Sequence, residues 1–529
     1  MTTLESILSE FREAAQSNRE MGDKFERLIA NYLLTDPQYS DRLAEVWLWS
    51  EWPDRSGMDV GVDLVARERG TGDYWAIQCK FYDSDYALQK ADIDSFFTAS
   101  GKKFATNLGE RSFAHRVIIS TTDKWSSNAE KALENQTIPV GRLWFKDLAE
   151  SPIDWSQFSL ERIQDIRLRD KHTLMPHQEE AVANILEGFK EVDRGKLIMA
   201  CGTGKTFTAL KIAETLAPKL AGKGKPGHVL FLVPSLSLLA QTLKEWAAQA
   251  ALPLLSLAVC SDVSIGKRRE KKDDDSGEIT IYDLPFPATT SDRQLVQQYK
   301  MLTLAAQKTQ SDPGLVVVFS TYHSLDAVSK AQKAGLPAFD LIICDEAHRT
   351  TGVTLTGEDE SSFVKVHDAN YLKGAKRLYM TATPRIYGDE AKTKAKELSA
   401  ELASMDDPTQ FGQELHRLGF GEAVGKSLLS DYKVLVLAVD EKYVSKTFQK
   451  QIADKGNELN LEDATKITGC WNGLEKRFEA AKSNVDLQGD VNPMRRAVAF
   501  SRSIKDSKKF VEQFGQIVGR LNLVIQRRK

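Results

Sequence analysis

Cysteine is scarce and scattered in this chain. The five present, Cys79, Cys201, Cys260, Cys344 and Cys470, include no pair at metal-ligand spacing. That argues against a zinc site or a disulfide framework and for a reducing cytoplasm. Long apolar runs are absent as well: none approaches the ~20 residues that a membrane span requires. The opening MTTLESILSEFREAAQ is a charged amphipathic pattern rather than a secretory signal. The expectation is a cytoplasmic protein with no membrane partner. A surplus of either charge is also missing. The formal net charge is -3, so any contact with nucleic acid has to come from local grooves and not from a global basic field. There is no internal repeat and no low-complexity block. What remains is ordinary globular composition, 42% hydrophobic and 27% charged over 529 residues, too long for one core and suited to about two to four domains.

Residues 1–50 read as helical. Phe25, Leu28, Ile29, Tyr32 and Leu33 recur at i, i+3, i+4, i+7 and i+8 and form one buried stripe. From 59 to 80 the period becomes two, and VGVDLVA and YWAIQCK read as strands joined by the turn-rich RERGTGD. RVIIST (116–121) and RLWFKDL (142–148) are further strands, and the polar, irregular stretch 150–172 marks a boundary. Beyond it, KLIMA (196–200), HVLFLVP (228–234), LVVVFST (315–321), LIICDE (341–346) and RLYMTAT (377–383) alternate with helical patterns. Continuous apolar strands between helices imply a parallel sheet covered on both faces. The stretch 264–312 interrupts the rhythm with the charged loop GKRREKKDDDSGE. YKVLVLAV (432–439) and RRAVAFS (495–501) are expected to begin a second sheet of the same type.

KLIMACGTGKT sets a glycine-rich turn between a buried strand and the helical TFTALKIAETLA. Gly202, Thr203 and Gly204 let backbone N–H groups close around phosphate, with Lys205 reaching the β and γ oxygens. Thr206 offers a hydroxyl to Mg²⁺ at a helix N-terminus that favours anions. In LIICDEAH a strand delivers Asp345 and Glu346 to its carboxyl end, where open α/β sheets bind ligands. Asp345 suits Mg²⁺, held through water, and Glu346 suits positioning and activating the hydrolytic water. ATP and Mg²⁺ are the cofactors this pattern calls for.

CGTGKT, DEAH, TAT (381–383) and the Gln178 of LMPHQ resemble the motifs of superfamily 2 helicases and translocases. The resemblance spans roughly residues 166–529. It implies adenine contact by Gln178, and coupling of the nucleotide state to DNA by His348, Thr381 and Thr383. VPSLSLLAQT (233–242) and FSTYHSL (319–325) sit where that family meets the DNA backbone, and AFSRSIKDSKKF resembles the opening motif of its second lobe.

In the first 165 residues, alternation sets Asp63 opposite Val62 and Leu64, and puts Gln78 and Lys80 on one face of their strand. Paired as a hairpin, the two strands bring Asp63, Gln78 and Lys80 together. An acid, an amide oxygen and a lysine suit metal-assisted phosphodiester cleavage: Asp63 and Gln78 as Mg²⁺ ligands, Lys80 to orient or deprotonate water. Spacing alone leaves open an edge hairpin with an ordinary polar face. GDKFERLIANYLL, GMDVGVDLVA and IQCKFY resemble the Mrr-like branch of the PD-(D/E)xK nucleases, in which glutamine replaces the usual second acid. That resemblance implies a helical glutamate, here Glu26, completing the metal shell. Asp59, Asp83 and Asp85 read as solvated charge.

The order of parts is similar to single-polypeptide type I-like (type ISP) restriction-modification enzymes, including LPFPATTSDRQLV at 284–296. The resemblance implies ATP-driven movement on double-stranded DNA with cleavage by the tethered nuclease. The expected α/β architecture is a restriction-endonuclease-like nuclease domain (1–165), a RecA-like parallel-sheet lobe (166–432) and an incomplete second RecA-like lobe (433–529). The family's methyltransferase and target-recognition regions have no counterpart motif here, and the arginine-bearing late motifs of the second lobe are missing. An N-terminal fragment that binds ATP but turns it over poorly is the expectation. Two alternatives are a restriction subunit of a multisubunit type I system and a DNA-binding regulatory ATPase with a vestigial nuclease fold.

Overall fold

The computed structural model describes residues 3–526 apart from internal stretches, the longest being 159–165, 261–279, 355–362, 394–400, 433–460 and 477–491. The chain divides into two compact units, Met1–Leu429 and Ser430–Lys529.

The first unit holds two sheets. One runs β1 (Leu43–Leu48), β2 (Leu64–Glu68), β3 (Tyr74–Lys80), β4 (Phe113–Ser120) and β5 (Val140–Leu143), in that spatial order. The first three strands are antiparallel and the last three parallel. Helices Leu4–Ala14 and Asn18–Thr35 pack on the face that carries Leu64, Trp75 and Ile77. Helix Lys90–Ser100 covers the face with Val65, Ala76 and Ile118. The predicted stripe of Phe25, Leu28, Ile29, Tyr32 and Leu33 is fully buried, each side chain stabilising by roughly 1.5–3 kcal/mol.

Two expectations fail here. Residues 43–48, expected to be helical, form edge strand β1. Pro37 forces Asp36 into extended backbone, so helix Asn18–Thr35 stops. The β-favouring Val46-Trp47 then pairs with β2, where Arg67 Nε donates to Glu45 at 2.7 Å. RLWFKDL, expected to be a strand, leaves the sheet after Leu143. The Asp147 carboxylate accepts the Trp144 N–H at 3.0 Å and starts helix Phe145–Glu150.

The other sheet has seven strands: β6 (Arg194–Met199), β7 (Gly227–Val233), β8 (Leu254–Val259), β9 (Leu315–Thr321), β10 (Phe339–Cys344), β11 (Gly374–Thr381) and β12 (Gln413–Leu418). Their order is β8-β9-β7-β10-β11-β6-β12, and every pairing is parallel. Parallel strands put all carboxyl ends on one edge, so the turns after β6, β11 and β10 are neighbours there. β9 is buried along its whole length, as a strand covered on both faces should be.

One apolar core continues from the first sheet into the second, including Leu148, Ile153 and Trp155 with Leu239, Leu243, Leu284 and Phe286. The segment following the charged 264–278 stretch, which lies outside the described residues, lies against β5. Its Asp283 accepts from Arg142 Nε and from Trp144 Nε1, each at 2.6 Å, and from Thr280 Oγ1 at 2.9 Å. The Arg142 guanidinium sits 4.0 Å from the Trp144 ring centroid. Arg42 adds a bond to the Ser256 carbonyl at 2.8 Å and lies over Phe286.

The second unit contributes helices Leu461–Leu474 and Ile504–Gln526. RRAVAFS, expected to be a strand, is irregular, with Val498 and Phe500 80% and 97% exposed. A strand persists only with a hydrogen-bonded neighbour, and among the described residues of this unit no strand is present to pair with it. Beyond Tyr432, YKVLVLAV lies outside the described residues.

The Arg142–Asp283 pair is almost fully buried on both sides. Arg142 Nη1 also donates to the more exposed Glu130 at 3.3 Å, so removing Asp283 leaves the buried guanidinium partly compensated, at a cost of about 3 kcal/mol, the low end for a broken buried pair. Asp283→Ala should therefore lower the urea midpoint of the first unit sharply. Arg142→Met combined with Asp283→Ala should recover part of the loss. A midpoint for Asp283→Ala equal to wild type would show that the node is solvated.

Candidate functional site

At the carboxyl edge of the parallel sheet, Gly202 and Gly204 both adopt φ of +82°, a left-handed conformation that glycine takes without strain. They turn the chain from β6 into helix Lys205–Ala221. Thr203 is pinned inward, its hydroxyl donating to the Ala200 carbonyl at 2.8 Å. Lys205 and Thr206 are half-buried at the helix start. Trp246, on helix Leu236–Gln249, donates its indole N–H to the Thr206 carbonyl at 3.1 Å.

Gln178 is buried against this loop. Its Nε2 donates to the Thr203 carbonyl at 3.3 Å and its Oε1 accepts the Met175 N–H at 2.9 Å. A Cβ at residue 204 would lie 2.2 Å from that Nε2, so a side chain there would displace the glutamine amide, while the φ itself calls for glycine. Both ends of the amide are used within the chain, and adenine contact would exchange these bonds.

Asp345 follows β10, with its N–H bonded to the Leu232 carbonyl at 2.9 Å. Its carboxyl pKa is pushed up to about 6, first by burial and then by the charge of Glu346; the Glu346 N–H and the charge of Lys205 act the other way. Lys205 and Asp345 thus sense each other's charge across the carboxyl edge of the sheet, from β6 and β10, the two strands that flank β11. A buried carboxylate beside a second one favours a cation, and the donor set fits the oxygen ligation of Mg²⁺. Glu346 lies at φ 47°, ψ 45°, a left-handed conformation unusual for a side-chain-bearing residue. His348 Nδ1 lies 3.0 Å from Thr381 Oγ1 and 3.3 Å from Glu346 Oε2. Thr381 Oγ1 in turn accepts the Thr383 N–H at 3.2 Å. Glu346, His348, Thr381 and Thr383 are therefore one contiguous chain of contacts.

Two neighbours of this site carried no sequence signal. Glu245 is held above the usual carboxylate range by burial and then by the charge of Asp345. Tyr322 is fully buried and donates its hydroxyl to the Asp345 carbonyl at 2.8 Å. Of the polar residues in FSTYHSL only His323 is exposed; Ser320, Thr321 and Ser324 are buried and bonded to one another or to backbone.

The second site lies in the mixed sheet. Leu64 pairs with Ile77, which sets Asp63 across from Gln78 just beyond the described end of β2. The Asp63 N–H donates to the Ile77 carbonyl at 3.0 Å, and its Oδ2 accepts the Cys79 N–H at 2.7 Å. Gln78 is buried; its Nε2 donates to the Gly61 carbonyl at 3.1 Å, while its Oε1 has no partner among the described residues. A buried acceptor left open needs an explanation, and a hard cation shared with the Asp63 carboxylate is one that fits. Lys80 is half-buried one step along β3. The Cys79 thiol is held well above its ordinary range by burial, then by the charges of Asp63 and Glu26, with Lys80 opposing. Glu26, Asp63 and Lys80 therefore act on one neighbourhood. Among the described residues no three His, Cys, Asp or Glu side chains gather at metal spacing, so the open glutamine oxygen is the feature that marks this site. Asp59 lies outside the described residues; Asp83 and Asp85 are exposed and pair with Arg12 and Lys124.

Residues 34–164 match a restriction endonuclease family of the Mrr catalytic type, and residues 171–386 match the ResIII family, the res subunit of type III restriction enzymes. The chain thus carries a region similar to restriction endonucleases followed by one similar to the helicase-like part of restriction enzymes. Its architecture is similar to the ATP-dependent type ISP restriction-modification enzyme LlaBIII, solved bound to DNA. The two are 39% identical with a TM-score of 0.78, over 98% of this chain and 31% of that one. Another type ISP enzyme, LlaGI, in a nuclease-deletion form with a DNA substrate mimic, is 38% identical over 66% of this chain and 22% of that one, with a TM-score of 0.44. The probable helicase A859L of African swine fever virus (isolate Pig/Kenya/KEN-50/1950) is 29% identical over 50% of this chain. The chain spans about a quarter of that relative's length, 24%. No helix among the described residues is long and apolar enough to cross a membrane.

Because the folded Asp345 carboxyl titrates near 6 and an unfolded one near 3.8, the folded state holds the extra proton between those values. Stability from this group is therefore present at low pH and lost as pH rises through about 6. Asp345→Asn should make the metal-free, nucleotide-free protein more stable at pH 7.5 by on the order of 2–3 kcal/mol. The advantage should fade between pH 6 and 4. Thermal unfolding across that range checks it, and a pH-independent difference would contradict the assignment.

Proposed function

We propose that this chain is the nuclease and motor portion of an ATP-dependent DNA restriction endonuclease, in which translocation on duplex DNA is coupled to phosphodiester cleavage. The division of labour is a nuclease domain over 1–165, a first motor lobe over 166–432 and the beginning of a second over 433–529. The observation that carries this reading is that Lys205 and Asp345, delivered by the two strands that flank β11, lie within electrostatic reach at one edge of the parallel sheet, in the same compact unit as the Asp63–Gln78 hairpin. The DNA-bound state of the similar LlaBIII structure supports double-stranded DNA as the substrate.

In the motor, the backbone N–H groups of Gly202, Thr203 and Gly204 cradle phosphate and Lys205 neutralises the β and γ oxygens. Thr206 and Asp345 would hold Mg²⁺, and Glu346 positions and accepts a proton from the attacking water. Gln178 steadies the loop from beneath and is the adenine-side contact. His348, Thr381 and Thr383 connect Glu346 to the face that meets DNA. In the nuclease, Asp63 and Gln78, completed by Glu26, would hold Mg²⁺, and Lys80 orients or deprotonates the water and offsets charge in the transition state. Bound there, the ion supplies Lewis-acid polarisation of the phosphate and a more acidic water.

Asp63→Ala or Lys80→Ala should abolish Mg²⁺-dependent cleavage of plasmid DNA while leaving ATP affinity unchanged. A Lys80→Ala protein cutting at the wild-type rate would end the nuclease assignment, and a wild type that binds ATP without cutting would favour a regulatory ATPase. Lys205→Ala removes a charge-assisted contact of roughly 1.5–3 kcal/mol, so calorimetry should find nucleotide binding at least tenfold weaker. Equal dissociation constants would make the glycine-rich turn structural.

A further inference from the structure

The peptide unit between Asp345 and Glu346 is held at both ends. Its carbonyl oxygen accepts the Tyr322 hydroxyl at 2.8 Å, and its N–H donates to Asp345 Oδ1 at 2.9 Å. The orientation of that plane sets φ of Glu346, which stands at +47°. Left-handed backbone at a residue with a side chain persists only where its surroundings over-determine it. The side chain it aims is the carboxylate beside His348, 3.3 Å away. Tyr322 is itself immobilised: it is fully buried, its ring stacks on Phe363 at 4.9 Å between centroids, and its hydroxyl is in contact with the Cys344 thiol. It begins the short 3-10 turn Tyr322–Ser324 at the carboxyl end of β9, whose one exposed polar residue is His323.

We infer that Tyr322 is a positioning residue for ATP hydrolysis: its hydroxyl, clamping the Asp345–Glu346 peptide, holds Glu346 in the left-handed conformation that aims its carboxylate at the attacking water. This rests on the reading of Glu346 as the residue that handles that water. The Asp345 backbone is anchored on its other side by its own N–H bond to Leu232, so loss of the clamp falls mainly on Glu346 and less on nucleotide affinity. The loop that carries Tyr322 is also the one whose surface side, through His323, faces solvent, so the clamp links that loop to the water-handling carboxylate through a single hydroxyl.

The test is Tyr322→Phe in the full 529-residue chain, which deletes the hydroxyl and keeps the ring stack on Phe363. Hydrogen exchange followed by mass spectrometry should be at least tenfold faster in the peptide spanning 343–349, with helix Lys205–Ala221 unaffected. Single-turnover hydrolysis should fall at least tenfold with the ATP dissociation constant within twofold of wild type. In a Glu346→Gln background the same substitution should change hydrolysis no further. Unchanged exchange at 343–349, or faster exchange throughout the lobe, overturns the clamp whatever the rate of hydrolysis. Loss of hydrolysis in Glu346→Gln with none in Tyr322→Phe also overturns it. Unchanged hydrolysis in Glu346→Gln instead overturns the assignment of Glu346, and the exchange arm still decides whether Tyr322 sets its backbone.

Discussion

The Arg142–Asp283 pair closes the core on which the two sheets are assembled. A guanidinium and a carboxylate buried together have given up their water, so each depends on the other and on the Trp144 and Thr280 donors around them. Such a pair adds little net stability compared with apolar residues of the same volume. It disfavours misplacement, because a shift of β5 against the 280–286 segment would strand the Asp283 carboxylate and leave Arg142 with Glu130 alone of its two carboxylates. The apolar partners Leu284 and Phe286 do not have that selectivity, since they pack with any surface of similar shape. Specific docking therefore comes from the charged node, and most of the stability comes from the apolar area around it.

The parallel sheet imposes the second constraint. With every strand pointing one way, the turns after β6, β10 and β11 converge, so the glycine-rich turn, the acidic pair and Thr381–Thr383 come from segments distant in sequence and adjacent in space. That convergence concentrates strain and charge. Glu346 is left-handed, Asp345 is buried against its own preference for water, and the Gln178 amide lies in the space that a side chain at 204 would take. None of these would persist in an isolated turn. Each is held by contacts from a different strand or helix, as expected where function conflicts with local preference.

Much of this was legible in the residues because it depends on short-range backbone geometry. CGTGKT needs its glycines wherever it occurs, and a period of two put Gln78 and Lys80 on one face, to be joined by Asp63 if the two strands paired; the pairing itself comes from the register. The identity of short elements was less legible. Residues 43–48 and 495–501 are both brief apolar runs; the first pairs with β2, and the second has no strand partner among the described residues. Least legible were the long-range partners. Asp283 lies 141 residues from Arg142, and Tyr322 lies 23 from the carbonyl it holds. No local pattern marks an aspartate or a tyrosine as the counterpart of a distant group, because the packing of whole elements creates the pairing.

Helix Leu236–Gln249 brings these constraints together within one turn. Lys244 forms an ion pair with Asp147 of the first sheet's short helix, Glu245 lies in the field of Asp345, and Trp246 donates to the Thr206 carbonyl beside the phosphate loop. Successive residues on a helix point about 100° apart, so one segment can address three surroundings at once only if all three already enclose it. Its far end is tied as well, with Gln249 Oε1 accepting the His172 N–H at 2.7 Å and the Gln249 carbonyl accepting Lys211 Nζ at 3.1 Å. Moving this helix relative to the phosphate loop would break the Trp246 bond, and moving it relative to Asp147 would leave a half-buried lysine unpaired. The helix is consequently bonded at once to the glycine-rich turn and to the short helix of the first sheet, a second tie between the two sheets beside the Arg142–Asp283 pair.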